Sequence, residues 1–442
     1  MLALDQNLAF DPAHDDDFFA AVPARSGVLE IGLHPSGAAV SPEPYLLRTL
    51  DLRRTAERLL RPPQTDSKRL NLRMLAAGCR FRVTGSRLEQ VLTHYENSRR
   101  LFPQRYRQML RLRTPALLKV NLPNAYPRCY VTRRISANGG FYLGPFATRK
   151  SAEELGNRVL DVLRVRRCQI RIRRDPEFPG CIYSEMKMCL APCFAGCTAE
   201  AYDEEAARLV ESLATRGLSL SRSLEMERDA ASDATEFEKA ATLQKKLEKV
   251  NDAFRGFPEI ARRVEELDAV ILQRGIADGS IALFPVREGV FQDPIFMDFS
   301  EVGKKPHSAE ETLRAALEKP RVESNIDAPP SGKAAVAPVI PPQDEQDAGS
   351  KELVPVEELG AGAADTIQTN YRQRFALQSA HPDLGENLAL FARWFYSNPR
   401  EGEILFRDED WPYRRILRAC SRLLRPDGKQ SPLPPTIAGP SA

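Results

Sequence analysis

The stretch GCIYSEMKMCLAPCFAGC, from Gly180 to Cys197, places four cysteines in eighteen residues, and Cys168 stands just upstream. Three arrangements could follow. The thiols could be buried as small apolar groups, joined as disulfides, or turned together as ligands to a metal. The N-terminus carries three consecutive aspartates and no basic segment, so it does not read as a secretory signal. No run approaches eighteen apolar residues, so no membrane span is expected. A cytoplasmic protein is the expectation, and there disulfides are rare. Five of eight cysteines cluster, which favours ligands over scattered core thiols. The spacing C-x12-C-x7-C-x3-C, with Cys197 a further x3 step on, lets short pieces of chain supply several thiolates to one centre. On spacing alone, zinc and an iron–sulfur cluster both stay open.

Charge is the second constraint. The net charge is only +3, yet Asp51 to Gly180 holds 29 Lys+Arg against 10 Asp+Glu. From Asn97 to Ala152 there is no acidic residue at all. A basic block of this size points to a polyanion, with nucleic acid first among candidates. The plain alternative is an Arg-rich surface with no such partner.

The 442 residues suffice for two to four domains, and the pattern is α+β and multi-domain. SGVLEIGLH and PYLLRTLDL read as strands, LRRTAERLL as a helix, and CRFRVTGSRLEQVLTHYENSRRLF as strand, turn and helix. ALLKVNLPNAYPRCYVTRRI reads as strand again. GGFYLGPFATRKSAEELGNRVLDVLRVRRC reads as a loop and then a helix. Ser151 with Glu154 forms its capping box, and Leu155, Val159, Val162 and Leu163 form its buried stripe. Residues 200–255 are helical, with a break near Ser232–Thr235 and a second box at Thr235 with Glu238, so an antiparallel hairpin is expected. Residues 265–300 look β-rich, and Pro, Ala and acidic residues mark a disordered linker after 319. A helical tail follows, with Leu388, Phe391, Trp394 and Phe395 clustered and Pro412 opening a last helix.

Two of these stretches resemble a known family. GGFYLGPFATRKSAEELGNRVLDVLRVRRC…GCIYSEMKMCLAPC resembles the UvrC excinuclease subunit of bacterial nucleotide excision repair, through Gly144-Pro145 and the CLAPC at Cys189–Cys193. DATEFEKAATLQKKLEKV resembles the UVR motif at Glu236, Phe237, Glu238, Ala240, Ala241 and Leu243. Departures are Thr235 where the motif usually has Leu and Gln244 where it has Arg. The resemblance implies a 4Fe–4S cluster on Cys168, Cys181, Cys189 and Cys193, with zinc as the alternative and Cys197 left outside as an extra thiol. It implies a hairpin that binds a like hairpin on a UvrB-like partner, and DNA as substrate. A two-helix hairpin has little core of its own, so an apolar Phe/Ala stripe on it suits a partner face.

The family also carries an N-terminal GIY-YIG nuclease, in which tyrosines, an Arg and a metal-binding Glu hydrolyse phosphodiesters. A carboxylate is needed because Mg2+ takes hard oxygen ligands, and an Arg because charge builds on the phosphate. Here the landmarks are degenerate. Gly27-Val28-Leu29 lacks the first tyrosine, while Tyr45-Leu46-Leu47 keeps the second. The family's Arg falls on Thr55 and its Glu on His94, with Glu89 earlier and Glu96 two residues late. The resemblance therefore implies a worn catalytic set of Tyr45, Arg48 and Glu96, and Arg48, Arg53, Arg54, Arg133 and Arg134 as contacts to DNA phosphates. An impaired or dead nuclease is the leading expectation. A Mg2+-dependent single-site endonuclease is the alternative, and an adaptor without DNA contact a third. No DGG motif of a second nuclease follows. The expected order is a nuclease-like domain at 20–138, a Cys-rich metal-binding region at 139–200, the UVR hairpin at 201–256, a small β-rich piece at 257–318, a linker at 319–366 and a helical region at 367–426.

Overall fold

A computed structural model describes residues 2–35, 42–62, 69–300, 308–318 and 371–425. The expected linker at 319–366 lies outside the described residues. The chain is mixed α/β and divides into two compact units. The first draws on Met1–Thr114, Glu265–Glu318 and Pro382–Ala442, the second on Pro115–Val264 and Lys319–His381.

The first unit opens with an antiparallel sheet of β1 (Gln6–Ala9), β2 (Gly27–Leu33), β3 (Tyr45–Thr49) and β4 (Ala76–Val83), in the order β1-β4-β2-β3. Strand alternation sends Leu29, Ile31, Leu47, Cys79 and Phe81 to one face. There they meet Phe18 and Phe19 of α1 (Asp15–Ala21) and Leu52 and Leu59 of α2 (Leu52–Leu60). The alternate residues Val28, Glu30 and Arg48 take the other face, where α3 (Arg87–Leu101) packs. Both later helices start on a side-chain cap. Asp51 accepts the Arg54 N–H at 2.9 Å, and Ser86 accepts the Glu89 N–H at 3.2 Å. A short turn of helix, α4 (Tyr106–Met109), follows α3.

The second unit is built on β5 (Ala116–Val120), β6 (Cys129–Thr132), β7 (Phe141–Phe146) and β8 (Arg262–Arg263), antiparallel in the order β6-β5-β7-β8. β7 occupies a stretch whose Gly-Pro reads as loop. It is buried along its length and pairs with β5, and Gly144 sits at φ 157 with Leu117 close against it. α5 (Arg149–Val162) buries Leu155 and Val159 as expected, but its cap is Thr148, reciprocated by Ser151, and not Ser151 with Glu154. The chain then runs through the short α6 (Ile182–Glu185) to α7 (Ala199–Ala214), α8 (Leu218–Asp233) and α9 (Phe237–Phe254). α8 and α9 pack as a hairpin over Leu220, Leu224, Leu243, Leu247, Val250 and Phe254, and α9 also packs on α5. Thr235 is not a cap. It sits in the left-handed region at φ 58 and forms the turn itself.

The chain then returns to the first unit. β9 (Ala269–Arg274), β10 (Ser280–Arg287), β11 (Val290–Phe291) and β12 (Ile295–Asp298) form a second sheet there, followed by α10 (Ala309–Leu317). The C-terminal region is not a helical tail. Between α11 (Leu384–Phe395) and α12 (Tyr413–Leu424) lies β13 (Glu403–Phe406), which pairs antiparallel with β9. Ile416 and Cys420 of α12 share a core with Leu272 and Leu283 of that sheet. Residues 371–375 belong instead to the second unit, where Tyr371 donates to Asp203 at 2.8 Å.

Candidate functional site

Tyr45 and Arg48 are three residues apart on β3, so strand alternation points them to opposite faces of the sheet. Tyr45 is exposed on the side of α1 and α2. On that side Thr55, the family's Arg position, is buried with its hydroxyl 2.6 Å from that of Thr49. Arg48 lies on the α3 side, near His94. Burial first, and then the charge of Arg48, push His94 down to about 4, so its imidazole is neutral at pH 7. Arg48 remains open to solvent, but packed atoms around its guanidinium, followed by the charges of Arg87 and Arg393, lower its pKa.

No described carboxylate is hydrogen-bonded or ion-paired to Tyr45 or Arg48. Glu89 and Glu96 are seven residues apart on α3 and share a face that His94 does not. Glu96 accepts the Leu2 N–H at 2.6 Å and is held above the usual carboxylate range by burial. It anchors the start of the chain and is not a partner of Arg48, which corrects its expected role. Glu89 is buried, accepts the Gly85 N–H at 2.8 Å, and lies 3.6 Å from Arg82 Nε. Glu30, buried on the α3 side of the sheet, is already paired with Arg80 at 3.1 Å and lies 3.7 Å from Arg100.

The expected phosphate contacts divide as well. Arg53 donates to the carbonyls of Val22 at 2.8 Å and Ala20 at 3.1 Å, closing the end of α1, so it is a structural residue. Arg54, Arg133 and Arg134 are exposed. Arg87 and Arg393 were not picked out from the sequence. Arg87 lies seven residues before His94 on one helix face, a signal that was legible, whereas nothing in the sequence connects Arg393 with β3.

In the second unit the cysteines separate into two kinds. Cys129 is a core thiol pushed up to about 12 by burial, as is Cys79 in the first unit, and Cys420 there is pushed to about 11. Cys168, Cys181, Cys189 and Cys193 are grouped instead. Burial raises Cys189 to about 11, and the thiols of Cys168, Cys181 and Cys193 act on it from nearby. Donors already face the sulfurs: the Ala191 N–H lies 3.3 Å from Cys189 Sγ, and Arg166 Nη1 lies 3.9 Å from Cys168 Sγ. Cys197 is set against Arg174 and, within the group, responds to Cys193. Among the described residues no three His, Cys, Asp or Glu side chains converge to hold a single ion.

The hairpin presents a split face. Phe237 is 68% exposed, and Glu236, Glu238 and Ala241 are exposed with it. Ala240 is half-buried, and Leu243 turns inward onto the α8/α9 core, so Leu243 supports the hairpin and does not offer itself to a partner. No described helix is long and apolar enough to cross a membrane.

Residues 116–212 match the family described as UvrC/Cho excinuclease, middle domain. The match runs from β5 into the last turn of α7 and contains the whole cysteine group. The UvrABC system protein C of Oleidesulfovibrio alaskensis is 28% identical over 177 residues, 40% of this chain and 25% of that protein. That of Carboxydothermus hydrogenoformans is 30% identical over 167 residues, 37% of this chain and 27% of its own. That of Leptospira biflexa is 23% identical over 245 residues, 55% of this chain and 40% of its own. The chain thus spans between a quarter and two-fifths of the length of these relatives. No solved structure matches. Residues 116–212 thus carry a UvrC/Cho excinuclease middle domain, and over that part the chain is similar to UvrABC system protein C.

Proposed function

We propose that this chain acts in nucleotide excision repair as a protein that holds DNA and a UvrB-like partner and does not itself cut. One observation carries the reading: the nuclease landmarks Tyr45 and Arg48 are divided between two faces of the first sheet, and no described carboxylate is hydrogen-bonded or ion-paired to either of them. Phosphodiester hydrolysis by this route needs a free carboxylate for a divalent metal and a cation aimed at the same phosphate. Neutral His94 supplies no hard oxygen ligand for Mg2+. With Mg2+ or Mn2+, alone or with a UvrB-like protein, the full chain is expected to bind duplex DNA and leave supercoiled plasmid un-nicked. Nicking that disappears in Glu30→Gln or Glu96→Ala would restore the endonuclease alternative.

A 4Fe–4S cluster would be held by Cys168, Cys181, Cys189 and Cys193. Such a group cross-links distant parts of a loop that has little core of its own. The chain's own contribution is the scaffold: Tyr202, fully buried, donates to Pro127 O at 2.8 Å and accepts the Arg166 N–H at 3.1 Å, fixing the entry to the loop.

The exposed Phe237 supports partner binding through the hairpin. Phe237→Ala is expected to change stability by no more than about 0.5 kcal/mol, as for a surface position. It should weaken capture of a UvrB-like partner roughly thirtyfold, the ~2 kcal/mol of an aromatic anchor. Equal affinity of the two proteins by surface plasmon resonance would remove the hairpin from the interface.

A further inference from the structure

We infer that Arg48, Arg87 and Arg393 form a metal-independent phosphodiester clamp, completed by the C-terminal helix α11. The inference deepens the DNA-holding reading above and rests on it.

The geometry starts from α3. Arg87, Gln90 and His94 fall at i, i+3 and i+7 and share one helix face. Gln90 is buried and donates to Gly27 O at 3.0 Å and Thr49 O at 2.7 Å, so this face is pinned to the ends of β2 and β3, one residue from Arg48. From the other direction, Glu386 accepts from Tyr95 of α3 at 2.8 Å and from Tyr106 of α4 at 3.0 Å, which fixes α11 against α3. Arg393 is seven residues after Glu386 and shares its face. It is held there by donating to Leu110 O at 3.0 Å and to Arg111 O.

Three guanidinium groups from three elements are therefore brought together, and the charges of Arg87 and Arg393 both act on Arg48. Among the described residues Arg48 has no hydrogen bond or ion pair. Glu401, the carboxylate beside Arg87, accepts that residue's backbone N–H at 3.0 Å and caps the helix start. Like charges without a counter-ion repel, so an anion seated among them relieves the cluster. A phosphate of the DNA backbone suits it, because planar guanidinium groups match phosphate oxygens and a duplex presents them in a continuous row. All three arginines lie outside residues 116–212, so the clamp is no part of the family's matched middle domain.

The test uses the full chain and a fluorescein-labelled duplex, with affinity read by anisotropy across a salt series in EDTA and again in Mg2+. Binding should persist in EDTA, with Mg2+ acting only as a competing counter-ion. Arg48→Gln, Arg87→Gln and Arg393→Gln should each reduce the slope of log affinity against log salt by about one. Arg393→Gln also loses two carbonyl contacts, so a thermal melt accompanies it, and Arg48→Gln, which breaks no hydrogen bond, decides if that variant unfolds. Inorganic pyrophosphate should raise the melting temperature of the parent chain and not of Arg48→Gln. DNA binding with all three slopes unchanged overturns the clamp and leaves the DNA reading standing. Pyrophosphate stabilisation in a chain that binds no DNA overturns the phosphodiester assignment and the DNA reading together, leaving a small-anion site.

Discussion

Glu386→Ala is expected to lower the stability of the first unit by about 3 kcal/mol, from two lost hydrogen bonds to a buried carboxylate at about 1.5 kcal/mol or more each. Glu386 is buried and accepts from Tyr95, Tyr106 and Arg107. Burial first, reinforced by Glu386 itself, raises both phenols, so they remain protonated donors through neutral pH. Alanine would leave two inward hydroxyls without an acceptor. The Arg107 bond adds little to the figure, because that side chain is largely exposed and solvent replaces what it loses. For a unit of this size the melting temperature should drop by roughly 6–12 °C. Glu386→Gln, which keeps the shape and an acceptor, should lose less. A melt unchanged to within a degree would mean that α11 is not fixed to α3 through this carboxylate. The same variant reports on the clamp: if α11 loosens, Arg393 is withdrawn from Arg48, and DNA affinity should fall in step with stability.

Much of the first unit was legible because its signals are local. Alternating apolar residues in SGVLEIGLH, the helical spacing of LRRTAERLL and the strand, turn and helix of CRFRVTGSRLEQVLTHYENSRRLF mark β2, α2, β4 and α3 without reference to anything distant. The hairpin was legible for the same reason, through Leu243, Leu247, Val250 and Phe254 on one face. Where local signals misled, a tertiary contact had overridden them. Gly144-Pro145 is turn chemistry in isolation, yet the close approach to Leu117 makes it part of a buried strand. Thr235 carries a cap's hydroxyl, but the tight α8/α9 turn puts it in the left-handed region. The largest gap was the C-terminal segment. β13 has four residues and its partner β9 lies far back in the chain, so no pattern within residues 367–426 announces that pairing. The chain passes from the first compact unit into the second and returns. The candidate site shows the same division. The cysteine group is local in sequence and could be read there, whereas Arg393 acquires its meaning only once Glu386 has brought α11 to α3.

Cys189→Ala is expected to have the largest effect of any single change in the second unit, removing iron and acid-labile sulfide and costing more than about 4 kcal/mol, the range reserved for loss of a metal group. The reason lies in how little else orders the loop. Between the end of α5 and the start of α7 the only regular elements are the four-residue α6 and a three-residue turn of 3-10 helix at Pro192–Phe194. Three residues there, Lys187, Ala191 and Ala195, occupy the left-handed region at φ 57. Side chains other than glycine adopt that conformation at a cost, so the loop needs a compensating constraint. Arg166 supplies part of it through the carbonyls of Tyr126 at 2.8 Å and Ile170 at 2.9 Å. Four thiolates bound to one group would supply the rest. Cys197 provides the internal control. It lies outside the four, beside Arg174, so Cys197→Ala should retain iron, sulfide and visible absorption, with only the modest loss of a half-buried thiol. Metal and sulfide analysis of the anaerobically purified chain and both variants, followed by urea unfolding, decides the matter. A colourless parent with stoichiometric zinc would replace the cluster by a single ion. Equal losses in Cys189→Ala and Cys197→Ala would mean that the ligand set has been drawn around the wrong four sulfurs.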